Sequence, residues 1–449
     1  MKNDREERRR AFALDNLGCA KNQVDAEVMI RYLEEAGWRY TGDFSEAELI
    51  IVNSCGFIEP AKQESIDTTL ELRSAYPGAR ILMAGCLSQR YGPDLHGDFS
   101  EADGFFGNRD LSRIVEAAEE VSGGKSSLIV PPYAEYDRRR DILLSFPGSA
   151  YLKISEGCNH RCSFCAIPLI RGGLRSIPRE RLMAEACDLI DRGIFEINLI
   201  AQDLAAYGSD RGDSEFIPLL RDLASLPGDF RLRLLYIHPD NFPEELVSVV
   251  RDHPKITPYF DIPFQHASPK ILTAMGRRGD ADAYLSLLER IRSGLPDAVV
   301  RTTFLVGFYG EGDTEFDELL RFQEQARFDW AGVFSYSPEE DTAALSYEGK
   351  AGFSREPNAA WEREEELKRL QLPISEERMD RFVGTTQWVL TEEPVQQEEL
   401  VLGRAYMHAP DVDGAVVVHG SGIEPGQKLR CRIVRRNNID LEGVVVGDE

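Results

Sequence analysis

The sequence predicts an α/β protein in three parts: an N-terminal open α/β sheet domain, a central partial TIM-like barrel and a small C-terminal β-barrel. Three observations predict it. Residues 11–120 repeat a strand–loop–helix unit. From 151 to about 340, six apolar strand candidates alternate with helical stretches. From 383 onward, short strands are split by Gly, Pro and Asp turns.

The N-terminal domain is expected over residues 11–125. Its units are "AFALDNLGCAKNQVDAEVMIRYLEEAG", "AELIIVNSCGFIEPAKQESIDTTLELR" and "ARILMAGCLSQRYG". Each apolar strand runs into a cysteine: Cys19, Cys55 and Cys86. Loops beyond the carboxyl ends of parallel strands line one edge of a sheet. Three cysteines far apart in sequence would therefore converge, each near a helix N-terminus that favours the thiolate. The plainer alternative is that small cysteines fill three β-to-α turns. Their recurrence in three successive units favours a shared ligand site.

Residues 126–148 mix Pro, Ser and charge and are expected to be a linker. The barrel domain is expected over 149–380, with strands at "YLKIS", "EINLIAQD", "RLRLLYIH", "YFDIPFQ", "VVRTTFLVG" and "WAGVFSYS". Chemistry in such a barrel lies at the strand carboxyl ends. The polar residues there are Glu156, Gln202, Asp203, His238, Gln265 and His266, each equally able to be a satisfied structural group or a ligand. A charged helical stretch, "WEREEELKRLQ", leads to the terminal barrel over 381–449, with "GAVVVHG", "QKLRCRIVRR" and "LEGVVVG" as strands.

Composition narrows the function. The chain has 449 residues and a formal net charge of −25. That is a poor match to a general nucleic-acid binder, which needs a basic surface to displace counterions. A basic protein partner suits it better. No apolar run reaches membrane-spanning length. The leader "MKNDREERRR" lacks the apolar core of a secretory signal and reads as a solvated, frayed segment. Clustered cysteines in a chain of this kind point to metal ligation in a reducing, cytoplasmic setting.

The central motif is "EGCNHRCSFC", residues 156–165, which places Cys158, Cys162 and Cys165 in a C-x3-C-x2-C spacing. A closed zinc site wants four ligands, and His160 could be the fourth. A four-iron–four-sulfur cluster held by three cysteines instead keeps one iron open for a small molecule. Of the remaining cysteines, Cys187 sits at helical spacing with Leu182, Met183 and Ile190 and is expected in the core. Cys431 is expected to be buried in a terminal strand.

The three-cysteine loop after a barrel strand, with Phe164 before its last cysteine, resembles the radical S-adenosylmethionine superfamily. So does "FLVGFYGEGDTEFDEL" (304–319), which has Tyr309 where a proline is common. The order of dispersed cysteines, cysteine loop and terminal barrel resembles the methylthiotransferases, from about residue 11 to the end. That resemblance implies two four-iron–four-sulfur clusters: a radical-generating one on Cys158, Cys162 and Cys165, and a sulfur-handling one on Cys19, Cys55 and Cys86. It implies S-adenosylmethionine near Phe164, Gln202, Gln265, His266, Gly307 and Glu311. It implies a terminal TRAM domain that docks the substrate, and an electron donor such as a flavodoxin or ferredoxin.

Two branches differ in substrate. "LGCAKNQVDAE", "NSCGFIEPAKQESID", "AQDLAAYG", "YFDIPFQHASPKIL" and "APDVDG" resemble the branch that modifies an aspartate β-carbon in small-subunit ribosomal protein twelve. The transfer-RNA branch usually shows Gln-Asn rather than Gln202-Asp203, and Gln-Ser-Gly rather than Gln265-His266-Ala267. Residues 383–449 carry eleven Asp and Glu against six Lys and Arg, a poor platform for a phosphate backbone. Arg430, Arg432, Arg435 and Arg436 could still cluster into a local basic face. The alternatives are a transfer-RNA adenosine methylthiotransferase, or a non-catalytic metal-cluster module docking on the ribosome.

Overall fold

A computed structural model describes residues 10–396 and 398–447. The expected frayed leader falls, apart from Arg10, outside the described residues.

Strands β1 (Ala11–Asn16), β2 (Arg39–Tyr40), β3 (Leu49–Ser54), β4 (Arg80–Gly85), β5 (Gly104–Phe106) and β6 (Ser127–Ile129) form one parallel sheet in the order β2-β1-β3-β4-β5-β6. A parallel sheet is covered on both faces, so its strands read as unbroken apolar runs such as "LIIV" and "ILMA". Helices α1 (Ala20–Glu35), α2 (Glu59–Ala75) and α3 (Cys86–Asp98) follow β1, β3 and β4. Leu49, Ile51, Leu82 and Ala84 pack under α1 and α4 (Ile114–Ser122). Ile50, Val52 and Ile81 face the other side. The expected linker opens with β6, an edge strand of this sheet. A strand of three residues, "SLI", is too short to leave a periodic signal.

The second sheet contains β7 (Ser149–Lys153), β10 (Glu196–Ile200), β11 (Arg231–Leu234), β12 (Ile256–Asp261), β13 (Val299–Val306) and β14 (Trp330–Ser335). They lie in that spatial order, all parallel, with β8 (Ser155–Glu156) and β9 (Arg175–Ser176) pairing separately as a small antiparallel ladder. All six expected barrel strands are present, and the sheet stays open between β7 and β14. Alternation along each strand sorts the faces. Ile197, Leu199, Leu232, Leu234, Phe260 and Phe304 pack against the covering helices. Tyr151, Ile200, Tyr259, Val299 and Trp330 point to the inner face.

That inner face is sealed by the third domain. Strands β15 (Thr386–Pro394), β16 (Leu400–Arg404), β17 (Val416–His419), β18 (Lys428–Asn437) and β19 (Asp440–Val445) close a barrel in the order β15-β16-β17-β19-β18. Met407, Val416, Ile433 and Leu441 share one apolar cluster with the inner face of the second sheet. The Trp330 indole donates to the Met407 carbonyl at 2.7 Å. Glu196 of β10 accepts from Arg231 and Arg233 of β11 and from Arg404 of β16, all buried.

Cys431 is buried in the terminal barrel as expected, but Cys187 is exposed. Its helix, Arg179–Asp191, buries Leu182, Ala186 and Leu189. Those three follow the helical period, and a residue five places after Leu182 is rotated well off their stripe. Among the described residues, no helix is long and apolar enough to cross a membrane.

Candidate functional site

The first cysteine set is built at the carboxyl edge of the N-terminal sheet. Cys19 is the N-cap of α1, Cys55 follows β3, and Cys86 is the first residue of α3. Asn22, in the first turn of α1, ties the three loops together. Its Nδ2 donates to the Leu17 and Ser54 carbonyls at 3.2 and 3.0 Å. Its Oδ1 accepts from Cys86 Sγ at 3.4 Å and lies 3.9 Å from Cys19 Sγ. The second and third loops touch because Gly56 has no side chain: a Cβ there would stand 2.7 Å from Leu87 Cα.

The expectation that all three thiols favour ionisation holds only for Cys19. Burial pushes the Cys19 thiol up, but Lys21 and Arg171 outweigh it and its pKa is lowered. Burial pushes Cys55 up to about 12, and raises Cys86 despite Arg171. The partial charge of a helix start is smaller than the cost of desolvating a thiolate. Donors at the sulfur nonetheless suit a charged ligand: Asn108 Nδ2 and Arg171 Nη2 reach Cys86 Sγ at 3.2 and 3.3 Å.

The second set lies beyond β8. Gly157 has φ +75°, and a Cβ there would stand 2.1 Å from the Gly173 carbonyl oxygen. Only glycine lets the loop turn so close. Cys158 N–H then donates to Gly172 O at 3.1 Å, and His160 N–H to Cys158 Sγ at 3.4 Å. Ser163 N–H donates to Met275 O at 2.8 Å, anchoring the loop to the barrel. Burial pushes Cys158 up to about 11 and Cys165 to about 12. The zinc alternative needed His160 as fourth ligand, but its Nε2 is 2.8 Å from Asp203 Oδ2 and its ring stacks on His238 at 4.1 Å. Among the described residues, no three of Cys, His, Asp and Glu are gathered as ligands of one metal ion, either in this loop or around Cys19, Cys55 and Cys86.

The pocket candidates sit at the barrel strand ends. Both amide atoms of Gln202, just beyond β10, are buried without a hydrogen-bond partner among the described residues. Gln265 has φ 69° and continues the ladder onto β13, its N–H donating to Thr303 O and its carbonyl accepting from Leu305 N. His266 is fully buried, and burial pushes its pKa down to about 3. Its Nδ1 accepts from Ser268 N–H at 3.0 Å, so a neutral ring carries its proton on Nε2, which has no bonded partner. Glu311 instead holds its own loop. Its Oε2 accepts from Gly307 and Phe308 N–H at 2.8 and 3.3 Å, and its Oε1 pairs with Arg363. Phe164 packs edge-on to Phe308, joining this loop to the cysteine loop. Tyr309, where a proline is common, is buried in an aromatic group with Phe308 and Tyr336.

A buried ion network runs from Cys86 of the first set to Glu156, which leads into the second. Arg171 closes α5 (Ile167–Arg171), the short helix after Cys165. Its Nη1 donates to Asp25 Oδ2 at 2.9 Å and Glu156 Oε1 at 2.8 Å. Its Nη2 donates to Asn22 Oδ1 at 2.7 Å as well as to Cys86. Lys153 pairs with the other oxygens of Asp25 and Glu156. Against a burial that would raise it, Arg171 and Lys153 hold the Glu156 carboxyl well below the usual range. Two acids and two bases are thus desolvated together, with every charge paired. Sequence reasoning missed Asn22, Asn108, Lys153 and Arg171. The one available signal was Asn22, three residues after Cys19 on the same helical turn.

Comparison with known families assigns all three parts. Residues 11–107 match the model described as Uncharacterized protein family UPF0004, residues 152–322 the Radical SAM superfamily, and residues 383–446 the TRAM domain. A ribosomal protein uS12 methylthiotransferase RimO from Treponema denticola is 42% identical, covering 96% of this chain and 100% of the relative. RimO proteins from Geobacter sulfurreducens and Thermotoga maritima are 40% and 39% identical, each over 96% of this chain. Among solved structures, a radical S-adenosylmethionine methyltransferase from Kitasatospora setae, with cobalamin and a four-iron cluster bound, shares the fold. Its TM-score is 0.54 at 16% identity, covering 74% of this chain and 77% of that one.

Proposed function

The chain belongs to the RimO family of ribosomal protein uS12 methylthiotransferases, and we propose from that premise that it methylthiolates the β-carbon of an aspartate in uS12. The observation that carries the reading is Arg171, which touches both Cys86 of the first set and Glu156, two residues before Cys158 of the second. A methylthiotransferase needs a radical source and a sulfur source within reach of one carbon, and a residue bridging the flanks of the two sets supports that reading. Cys158, Cys162 and Cys165 would hold one four-iron cluster, and Cys19, Cys55 and Cys86 a second. When bound, the first would supply the electron that cleaves S-adenosylmethionine to a carbon radical, and the second the sulfur.

The remaining residues position and exclude. Gln202 offers both a donor and an acceptor, and neutral His266 a donor, in a pocket otherwise built from the Phe164–Phe308 contact and the 307–311 loop. The terminal barrel closes the inner face of the second sheet and keeps solvent from it. Two of the four arginines that could form a basic face on β18 are neutralised, Arg435 by Glu442 and Arg436 by Asp380. That favours a basic protein over RNA as the docked partner. A flavodoxin or ferredoxin would deliver electrons.

The test is anaerobic turnover with reductant, sulfide and S-adenosylmethionine, offering uS12 and bulk transfer RNA side by side and reading both by mass spectrometry. A methylthio gain on one aspartate of uS12, and none on RNA, is expected; a gain on adenosine overturns the substrate reading. About eight irons and eight sulfides per chain are expected after reconstitution. Cys162→Ala should abolish S-adenosylmethionine cleavage. Cys55→Ala should keep abortive cleavage and stop sulfur insertion.

A further inference from the structure

Lys21 is a buried lysine without an acid. It lies in the first turn of α1, two residues after Cys19, and is only 8% exposed. Among the described residues, its Nζ makes no hydrogen bond or ion pair. It rests 3.5 Å above the centre of the Tyr236 ring. The nearby carboxylates are committed elsewhere. Asp261 takes Arg301 at 3.3 Å on one oxygen and the Tyr236 N–H at 3.2 Å on the other. Glu156 takes Lys153 and Arg171. A desolvated ammonium is destabilised unless an anion joins it, and a cation–π contact offsets only part of that.

The surroundings fix where the lysine stands. Tyr236 is held at φ 70°, a conformation a tyrosine rarely adopts. The bond from its N–H to Asp261 holds the backbone there, with the ring beneath the lysine. Ala20 and Val24 of the same helix turn pack with Ile200, Leu235 and Tyr236, so Lys21 stands over the carboxyl ends of β10 and β11. That is the end of the sheet where the pocket candidates gather.

We infer that the Lys21 ammonium receives the side-chain carboxylate of the substrate, orienting the carbon next to it toward the two cysteine sets. The inference rests on the reading of uS12 aspartate as substrate and names the group that recognises it. Asparagine in place of that aspartate keeps the shape and removes the charge. A lysine serving only the charge of Cys19 would treat the two alike.

The experiment is a crossed comparison on reconstituted full-length enzyme. Wild type, Lys21→Met and Lys21→Arg each meet uS12 carrying the target aspartate or asparagine there. Equilibrium binding is measured in the absence of reductant, alongside iron content and uncoupled S-adenosylmethionine cleavage. Wild type should bind the aspartate form on the order of thirtyfold more tightly than the asparagine form. Lys21→Met should erase that ratio, and Lys21→Arg should keep most of it. A wild-type ratio near one overturns the inference even if Lys21→Met fails to load iron, and so does a ratio unchanged by Lys21→Met. If wild type leaves uS12 unmodified, the substrate reading itself has failed, a result distinct from either.

Discussion

Gly157 shows how much of this chemistry hangs on one missing methyl group. Its left-handed backbone and the Gly173 oxygen 2.1 Å from a would-be Cβ leave no room for alanine. Gly157→Ala should cost a few kcal/mol through strain and displacement. It should lower the iron held by the second cysteine set more than that held by the first, which Mössbauer or EPR spectroscopy of the reconstituted variant would resolve. At this scale the six cysteines stand out in the sequence, because thiols are rare and chemically specific. The left-handed Tyr236 was not, since nothing about a tyrosine announces it. Cys187 misled because it neighbours apolar residues in sequence without sharing their face of the helix.

Among elements, the short helix α5 matters beyond its length. It presents Arg171 to Asp25 across 146 residues of sequence. Replacing Arg171 by methionine would leave Asp25 and Glu156 sharing Lys153 alone. Breaking one partner out of a buried ionic group costs about 3–5 kcal/mol. Arg171→Met should therefore lower the thermal midpoint and cut the iron content of both sites together, whereas a lesion in either cysteine set should spare the other. Strands β1, β3 and β4 and the six of the second sheet were legible because a parallel strand buried on two faces declares itself as an apolar run. The ion network was not, because pairing between distant charges leaves no period in the sequence. The strand β6 was hidden by its three-residue length.

For the whole molecule, acid should loosen the joint between barrel and terminal domain. His408 is fully buried there against Trp330, both ring nitrogens without a partner among the described residues. Burial, with Arg233 and Arg404 nearby, holds its pKa well below the usual 6.5. Below that value the unfolded chain takes a proton that the folded chain refuses. The stability His408 contributes is therefore present above about pH 6.5 and is lost as pH falls, at a slope of up to about 1.4 kcal/mol per pH unit. Denaturant midpoints read by tryptophan fluorescence at pH 7.5 and 5.5 should show that loss, and His408→Gln should flatten it. The order of the three domains was legible in the sequence. Their docking was not, because it runs through Glu196 and its three arginines, contributed by β10, β11 and β16.

The bond from Arg171 to Cys86 also has a consequence in time. A ribosome making this chain releases the first cysteine set long before residue 171 leaves the exit tunnel. Until then Cys86 lacks one of its donors, and Asp25 faces neither Lys153 nor Arg171. The newborn N-terminal domain is thus an unfinished cup, whose wall is delivered only when synthesis has passed the second cysteine set. The wall around Cys86 is thereby completed only after the second cysteine set has been made, and a chain stalled before residue 171 lacks it.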